Sequence, residues 1–286
     1  LGRCLPGSYG IDPAGIHPLP GGGNNRLFRV ETPGGPAVLK RYFRHPGDSR
    51  NRLDSEYRFS EFLWGHGVRC IPEPLARDDE TGTGLYRYVE GVAIRPSEVT
   101  GRHLREAQSF FRRANGWRSD PDARALPDAS EACFAMRQHL DTVEQRVRRL
   151  ADSPSGDGIR GEAVAFVREH LVPAWNGVRR ACLGQVPGGH SLAEPLAFSD
   201  RVLSPSDFGF HNALQTAQGL VFHDFEYAGW DDPAKTVCDF FCQVAVPVPM
   251  RNWEEVSRGC AELTSSWKNY ARTCRSRWAK PQKMVW

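Results

Sequence analysis

Three oxygen-bearing residues at fixed intervals constrain this chain more than any other feature. They are Asp207, Asn212 five positions on, and Asp224 twelve beyond that, spanning SPSDFGFHN to HDFEYAGW. Between Asn212 and Asp224 the chain reads NALQT, a turn at Gln218-Gly219, then LVFHDF, the pattern of two short strands joined as a hairpin. A hairpin returns its ends side by side. Asn212 and Asp224 are therefore expected at the open end, where two oxygen ligands can hold a hard cation against phosphate oxygens. Asp207 is expected across the cleft, free to accept a proton from a hydroxyl.

The order of elements upstream agrees with that chemistry. GGGNNRLFRVET is a glycine cluster running into an alternating apolar stretch, PGGP is a turn, and AVLKRYF is a second strand. Gly21, Gly22 and Gly23, with Asn24 after them, can bring backbone N–H groups close to phosphates. Lys40 on the second strand can reach those phosphates, and Glu56, in the helical stretch DSRNRLDSEYRFSEFLWGHGV, is placed to pair with it. GLYRYVEGVAI reads as a further strand that breaks at Gly91. Helical patterns then dominate: GRHLREAQSFFRRANGW, SEACFAMRQHLDTVEQRVRRL with Ser130 as N-cap, and GEAVAFVREHLVPAWNGVRRACL. After the hairpin, DPAKTVCDFFCQVAV and NWEEVSRGCAELTSSWKNYA are helical again. The fold class expected is α+β, with a small β-rich N-terminal lobe over residues 1–91 and a larger, mainly helical lobe over residues 92–286 that carries the hairpin.

Composition narrows the classes further. A chain of 286 residues, 40% hydrophobic and 25% charged, can bury a sizeable core as one large domain or two lobes sharing a cleft. No run approaches the length of a membrane span, and the start LGRCLPGSYGIDPAG has neither a basic nor an apolar leader region, so a cytoplasmic protein is expected. The eight cysteines lack zinc spacing and read as reduced thiols, with Cys238 and Cys242 expected as small buried hydrophobes on one helix face. A net charge of +3 is too small to imply a nucleic-acid partner. The segment from Leu263 to Trp286 carries six basic residues and no acid, which reads as a solvated helix face or tail.

Asp207-Phe208-Gly209 also spells the tripeptide with which a protein kinase holds magnesium. That reading needs a catalytic loop with its own Asp and Asn a little under twenty residues upstream, and LGQVPGGHSLAEPLAFSD contains no Asn. Taking Asp207 as the loop base, Asn212 as one metal ligand and Asp224 as the other reproduces the kinase spacing, so the literal D-F-G is a decoy. With GGGNNRLFRVE, AVLKRYF, Glu56, GLYRYVEG, SDFGFHN and HDFEYAGWDDPAKTVCDFF all in order, the chain resembles the aminoglycoside phosphotransferase and choline kinase superfamily, small-molecule kinases with a bilobal protein-kinase-like fold. The resemblance implies that ATP is bound by the glycine loop and by Lys40 with Glu56 as its partner. It implies that Arg87, Tyr88 and Val89, through to Glu90, form the hinge beside adenine, that Asp207 is the base, and that Asn212 and Asp224 hold Mg2+. Asp239 would anchor the catalytic loop from the following helix.

The chain departs from that pattern in three places. Pro205 stands where the family usually has His, Gly209-Phe210-His211 replaces His-Pro-Gly, and the last forty residues are basic where the family's C-terminal helices are apolar. The reaction expected is phosphorylation of a small-molecule hydroxyl. An aminoglycoside site would need a dense acidic surface, for which Glu226, Asp231 and Asp232 are candidates, and a choline-type site would need an aromatic cage, for which Trp230 and Tyr227 are candidates. The basic stretch RHLREAQSFFRRANGWRSD leans instead toward a neutral or anionic acceptor, a sugar or sugar derivative. A nucleotide-binding pseudokinase would lack one of the Lys, base or ligand residues, all of which are present. A dinucleotide oxidoreductase would need its glycine turn to enter a helix, whereas GGGNNR enters a strand.

Overall fold

Alternating apolar residues build the first layer. In this computed structural model, which describes residues 15–20, 24–48, 50–184 and 191–252, the chain opens with strands β1 (Ile16–Leu19), β2 (Arg26–Thr32) and β3 (Gly35–Arg41). β2 and β3 pair from Arg26↔Arg41 to Thr32↔Gly35, closing on the PGG turn, where Gly35 takes φ +103°. The first helix, α1 (Arg52–Gly65), starts where the Asn51 side chain accepts from the Asp54 N–H at 3.2 Å. Its buried face carries Leu53, Glu56, Phe59, Ser60 and Leu63, the three-and-four spacing read from the sequence.

Strands β4 (Pro74–Asp78) and β5 (Thr83–Arg87) complete an antiparallel sheet in the order β1-β2-β3-β5-β4. Val30, Ala37, Leu39 and Leu85 form its core, with Ile16, Phe28, Leu75 and Ala76 packed against them. Sequence pattern alone did not disclose β1 or β4. Each contains a proline, Pro18 or Pro74, and each lies at an edge of the sheet, the place where a missing N–H is tolerated.

GLYRYVEGVAI does break as expected. Beyond β5 the next strand, β6 (Val92–Ala93), leaves the first sheet and pairs with β8 (Ala213–Thr216), which pairs in turn with β9 (Gly219–Phe222). The β8–β9 register closes at Thr216↔Gly219, so the turn falls on Ala217-Gln218, one residue earlier than the sequence suggested. Between β6 and β8 come α2 (Gly101–Gly116), α3 (Met136–Ala151), α4 (Ile159–Phe166), α5 (Val172–Leu183) and β7 (Val202–Ser204). β10 (Gly229–Asp231) pairs with β7, and α6 (Pro233–Phe241) follows, capped by the Asp232 carboxylate on the Ala234 N–H at 2.7 Å.

Helix α3 begins at Met136 rather than at Ser130. The Ser130 N–H is engaged by the Tyr227 carbonyl at 3.1 Å and the Ala129 N–H by the Trp230 carbonyl at 2.9 Å, which ties this segment to the chain around β10, and the Ala132 N–H closes a turn on the Ala129 carbonyl at 2.9 Å that does not continue as a helix. The Gln138 side chain instead accepts from the Phe134 and Ala135 N–H groups at 2.6 and 3.0 Å. α4 and α5 are joined through Val167–Leu171 in a π-helical turn, with the Val172 N–H reaching back to the Val167 carbonyl. The wider turn directly precedes Pro173, which has no N–H for the ordinary helical bond.

The chain divides into two compact units, residues 133–198 and the rest. The smaller unit packs α3 against α5 around Leu140, Val147 and Trp175, whose indole N–H donates to Glu144 at 2.6 Å. The larger contains both sheets named above, the β7–β10 pair, α1, α2 and α6. Its middle is aromatic: Phe110 of α2 stacks on Phe222 of β9 at 4.7 Å, and Phe208 lies 4.9 Å from Phe240 of α6. Cys238 and Cys242 are exposed rather than buried, because α6 turns Val237, Phe240 and Phe241 inward. None of the described cysteines is in a disulfide. The helix expected from Asn252 onward and the basic run from Leu263 lie outside the described residues, except for Asn252 itself, which ends a short 3-10 turn.

Candidate active site

β3 carries Lys40 inward, where the residue is 6% exposed and its ammonium donates to Glu56 Oε2 at 2.6 Å. It donates also to Asp224 Oδ1, so one buried cation joins the sheet, α1 and the end of the β8–β9 hairpin. Burial disfavours the charged amine, yet the two carboxylates outweigh it and hold the Lys40 pKa above its usual value. Glu56 Oε2 accepts a second hydrogen bond from the Tyr42 hydroxyl at 2.7 Å, and that hydroxyl meets the Tyr86 hydroxyl at 2.8 Å. The two tyrosines were not singled out in the sequence, although Tyr42 sits two residues beyond Lys40 in AVLKRYF and Tyr86 lies on β5.

The hairpin brings Asn212 and Asp224 to its open end, as their spacing required. The His223 N–H donates to the Asn212 carbonyl at 3.0 Å, one step beyond the Ala213↔Phe222 pair. Asp224 takes φ +67° and Ser206, just before Asp207, φ +65°; among the described residues these are the two non-glycine positions with positive φ. One is a carboxylate at issue and the other directly precedes one, and positive φ at such residues is the kind of backbone strain that clusters at functional sites. Burial pulls His223 down to about 4, so it is neutral beside Asp224 at ordinary pH.

Asp207 projects from the loop with its side chain 44% exposed, between buried Ser206 and Phe208. Phe208 and Phe210 are 6% and 0% exposed and enter the aromatic core, which accounts for the D-F-G letters as a packing pattern. The loop folds back so that the Asn212 amide donates to the Asp207 carbonyl at 3.0 Å. Hydrogen bonding from His211, then from Gln243 and Asn212, outweighs partial burial and holds the Asp207 carboxyl below the usual carboxylate range. Asp239 pairs with Lys235 at 2.7 Å; the residue that reaches Asp207 from the end of α6 is Gln243, which carries no signal in the sequence. Behind the loop, buried Asn115 of α2 donates to the Leu203 carbonyl at 2.9 Å and accepts from its N–H at 2.8 Å, fixing β7. A polar residue on the apolar face of an amphipathic helix was the one hint of that role.

Gly21, Gly22 and Gly23 lie outside the described residues, and Asn24 is exposed. Its neighbour Asn25 donates to Glu226 Oε2 at 2.5 Å and accepts from the Phe43 N–H at 3.1 Å. Glu226 is buried and its other oxygen accepts from Arg52 of α1 at 3.0 Å, while Arg52 also donates to Asp48 at 3.0 Å. Arg87 donates to the Gly34 carbonyl at 2.7 Å and to Glu73 at 3.3 Å, while its N–H and that of Tyr88 are spent on Glu73 and Pro36.

The side chains named as candidates for an acceptor site are engaged within the protein. Glu226 is internal, Asp231 is 0% exposed beside Lys235 at 3.1 Å, and Asp232 caps α6, so these three do not form an acidic surface. Trp230 is 2% exposed with its indole N–H on the Ala123 carbonyl at 2.9 Å, and the Tyr227 ring already faces the Arg50 and Arg52 guanidinium groups at 5.3 and 5.4 Å.

Matched against protein families, residues 15–263 fit the phosphotransferase enzyme family. The chain belongs to that family. This phosphotransferase is a small-molecule kinase. Its fold resembles a choline/ethanolamine kinase family protein from Mesorhizobium loti, 22% identical with a TM-score of 0.55, over 95% of this chain and 78% of that one. It also resembles a macrolide 2'-phosphotransferase from Brachybacterium faecium (17% identical, TM-score 0.60, 95% and 85% covered). A spectinomycin phosphotransferase solved with ADP and spectinomycin is similar too (12% identical, TM-score 0.62, 92% and 81% covered). Among curated proteins none matches the phosphotransferase. Among its described residues no helix is long and apolar enough to cross a membrane.

Proposed function

We propose that this phosphotransferase moves the γ-phosphoryl group of ATP to a hydroxyl of a small polyhydroxy molecule, a sugar or sugar derivative, with Mg2+. The observation that carries the reading is Lys40 held between Glu56 and Asp224, with Asn212 hydrogen-bonded to the backbone of Asp207 beside them. In this reading Lys40 neutralises phosphate charge, Glu56 keeps it in place, and Asp207 orients the acceptor hydroxyl and takes its proton. Proximity and fixed charge supply most of the catalysis.

The donor set fits magnesium. Asn212 and Asp224 offer oxygen atoms, and among the described residues there is no cluster of three or more His, Cys, Asp or Glu that would make an all-protein cage. Mg2+ characteristically takes one or two protein ligands and completes its shell with phosphate and water. When bound it would neutralise charge on the phosphate oxygens. Gly21, Gly22, Gly23 and Asn24 would cover the phosphates. In the same reading Arg87, Tyr88 and Val89 form the hinge beside adenine; the N–H groups of Arg87 and Tyr88 bond Glu73 and Pro36, so those two would meet adenine through groups other than their N–H. In the same proposal residues 1–91 form the nucleotide lobe and 92–286 the catalytic lobe, and the protein works in the cytoplasm, where its free cysteines would stay reduced.

A neutral or anionic acceptor is supported by the internal pairing of Glu226 and Asp231, by the helix cap that Asp232 makes and by the burial of Trp230, which engage the side chains considered for an acidic surface or an aromatic cage. The test is phosphoryl transfer from Mg-ATP to a panel of sugars, amino alcohols and aminoglycosides, read as mass gain of the acceptor. Gain on sugars that Asp207→Asn loses and a chelator suppresses is the expected result; gain on amino alcohols or aminoglycosides alone would replace the acceptor class.

A further inference from the structure

Asp207 is held from two sides. Gln243 Nε2 donates to its Oδ1 at 2.9 Å, and His211 Nε2 lies 3.3 Å from its Oδ2, with the Asn212 amide at 3.5 Å from the same oxygen. The two main contacts come from different places. His211 belongs to the loop itself, whereas Gln243 is the second residue past the end of α6, in a segment set by buried Phe240, Phe241, Val246 and Val248. Gly209 makes the arrangement possible: a Cβ there would stand 2.7 Å from Gln243 Cγ and 2.8 Å from His211 Nδ1. The loop thus omits a side chain at the point where both donors cross it.

We infer that Gln243 and His211 are positioning residues that clamp the Asp207 carboxylate in the rotamer that faces the acceptor hydroxyl. A carboxylate 44% exposed on a loop would otherwise rotate about its side-chain bonds, and each unproductive rotamer removes the base from reach. A donor on one oxygen and an imidazole against the other fix both rotation and tilt, which one contact cannot do. The inference rests on the reading of Asp207 as the base, and the experiment separates the two.

Aspartate carboxyl carbons are isotope-labelled and the Asp207 resonance is identified as the one lost in Asp207→Asn, without ligand present. Gln243→Leu keeps the stem and removes the donor. It is expected to shift or broaden that resonance, to lower kcat on the acceptor found with the panel by about tenfold, and to leave the KM for ATP and the unfolding midpoint unchanged. Should Gln243→Leu fold poorly, Gly209→Ala displaces both donors by a methyl group and is expected to move the same resonance. An unmoved resonance with unchanged kcat, in a protein whose Asp207→Asn variant is inactive, overturns the clamp. An active Asp207→Asn variant overturns the base assignment instead, and the resonance then still reports whether the carboxylate is held.

Discussion

Lys40 Nζ lies 2.6 Å from Glu56 Oε2, and both side chains are 7% exposed. Because Asp224 shares the same ammonium, the pair links the five-stranded sheet to the carboxylate at the hairpin end. Lys40→Met leaves Glu56 buried without its cation. The expected cost is about 3–5 kcal/mol of stability, as for removal of one partner of a buried pair. Loss of phosphoryl transfer on the order of a hundredfold or more is expected alongside it. Thermal unfolding and the transfer assay measured on one preparation check both.

Tyr42 gives a milder test of the same cluster. Tyr42→Phe removes the hydroxyl that joins Glu56 at 2.7 Å and Tyr86 at 2.8 Å while keeping the ring. Denaturant unfolding is expected to show a loss of about 1–3 kcal/mol. Unchanged stability would mean that Lys40 alone satisfies Glu56.

Gly84 supports that cluster from β5, where it pairs with Lys40. A Cβ at Gly84 would stand 2.8 Å from a Tyr86 ring carbon and 3.0 Å from its hydroxyl. Gly84→Ala is expected to push Tyr86 away from Tyr42 and cost about 1–3 kcal/mol, the range for overpacking a filled core. Combined with Tyr42→Phe its effect should be less than additive, which a double-mutant cycle by denaturant unfolding measures.

Gly229 lies in the EYAGW stretch against backbone. A Cβ there would meet the Pro127 carbonyl oxygen at 2.4 Å and the Ala129 nitrogen at 2.6 Å, neither of which can move without opening the hydrogen bonds to Trp230. Gly229→Ala should therefore exceed Gly84→Ala, at more than about 4 kcal/mol. The yield of folded protein and its unfolding midpoint are the readouts.

Asn115→Ala strips both hydrogen bonds from Leu203, leaving a buried N–H and carbonyl without partners on β7, three residues before Ser206. A loss of about 2–5 kcal/mol is expected from two unsatisfied groups and the space left behind. Because β7 leads into the loop, kcat should fall more than the KM for ATP rises; steady-state kinetics on the panel acceptor distinguish the two.

The spacing of Asp207, Asn212 and Asp224, the β2–β3 hairpin, α1 with Glu56, and the helical run that follows were legible in the sequence because each depends on local periodicity or on a turn that returns the chain a fixed distance. β1 and β4 were not, since prolines mask edge strands whose pairing is supplied by neighbours. The helix placed at Ser130 failed for a related reason: the alternative bonds to Tyr227 and Trp230 come from residues far along the chain.

Sequence by itself determined the family this phosphotransferase resembles and the order in which Lys40, Glu56, Asp207, Asn212 and Asp224 come. Only the tertiary structure decided which of its charged residues are internal. Glu226 and Asp231 look like surface acids in the chain but are buried against Arg52 and Lys235, and Gln243 looks like any polar residue after a helix but holds Asp207. The physical reason is that local spacing specifies backbone periodicity, whereas the partner of a buried charge is chosen by packing between distant segments, where desolvation makes an unpaired group too costly to keep.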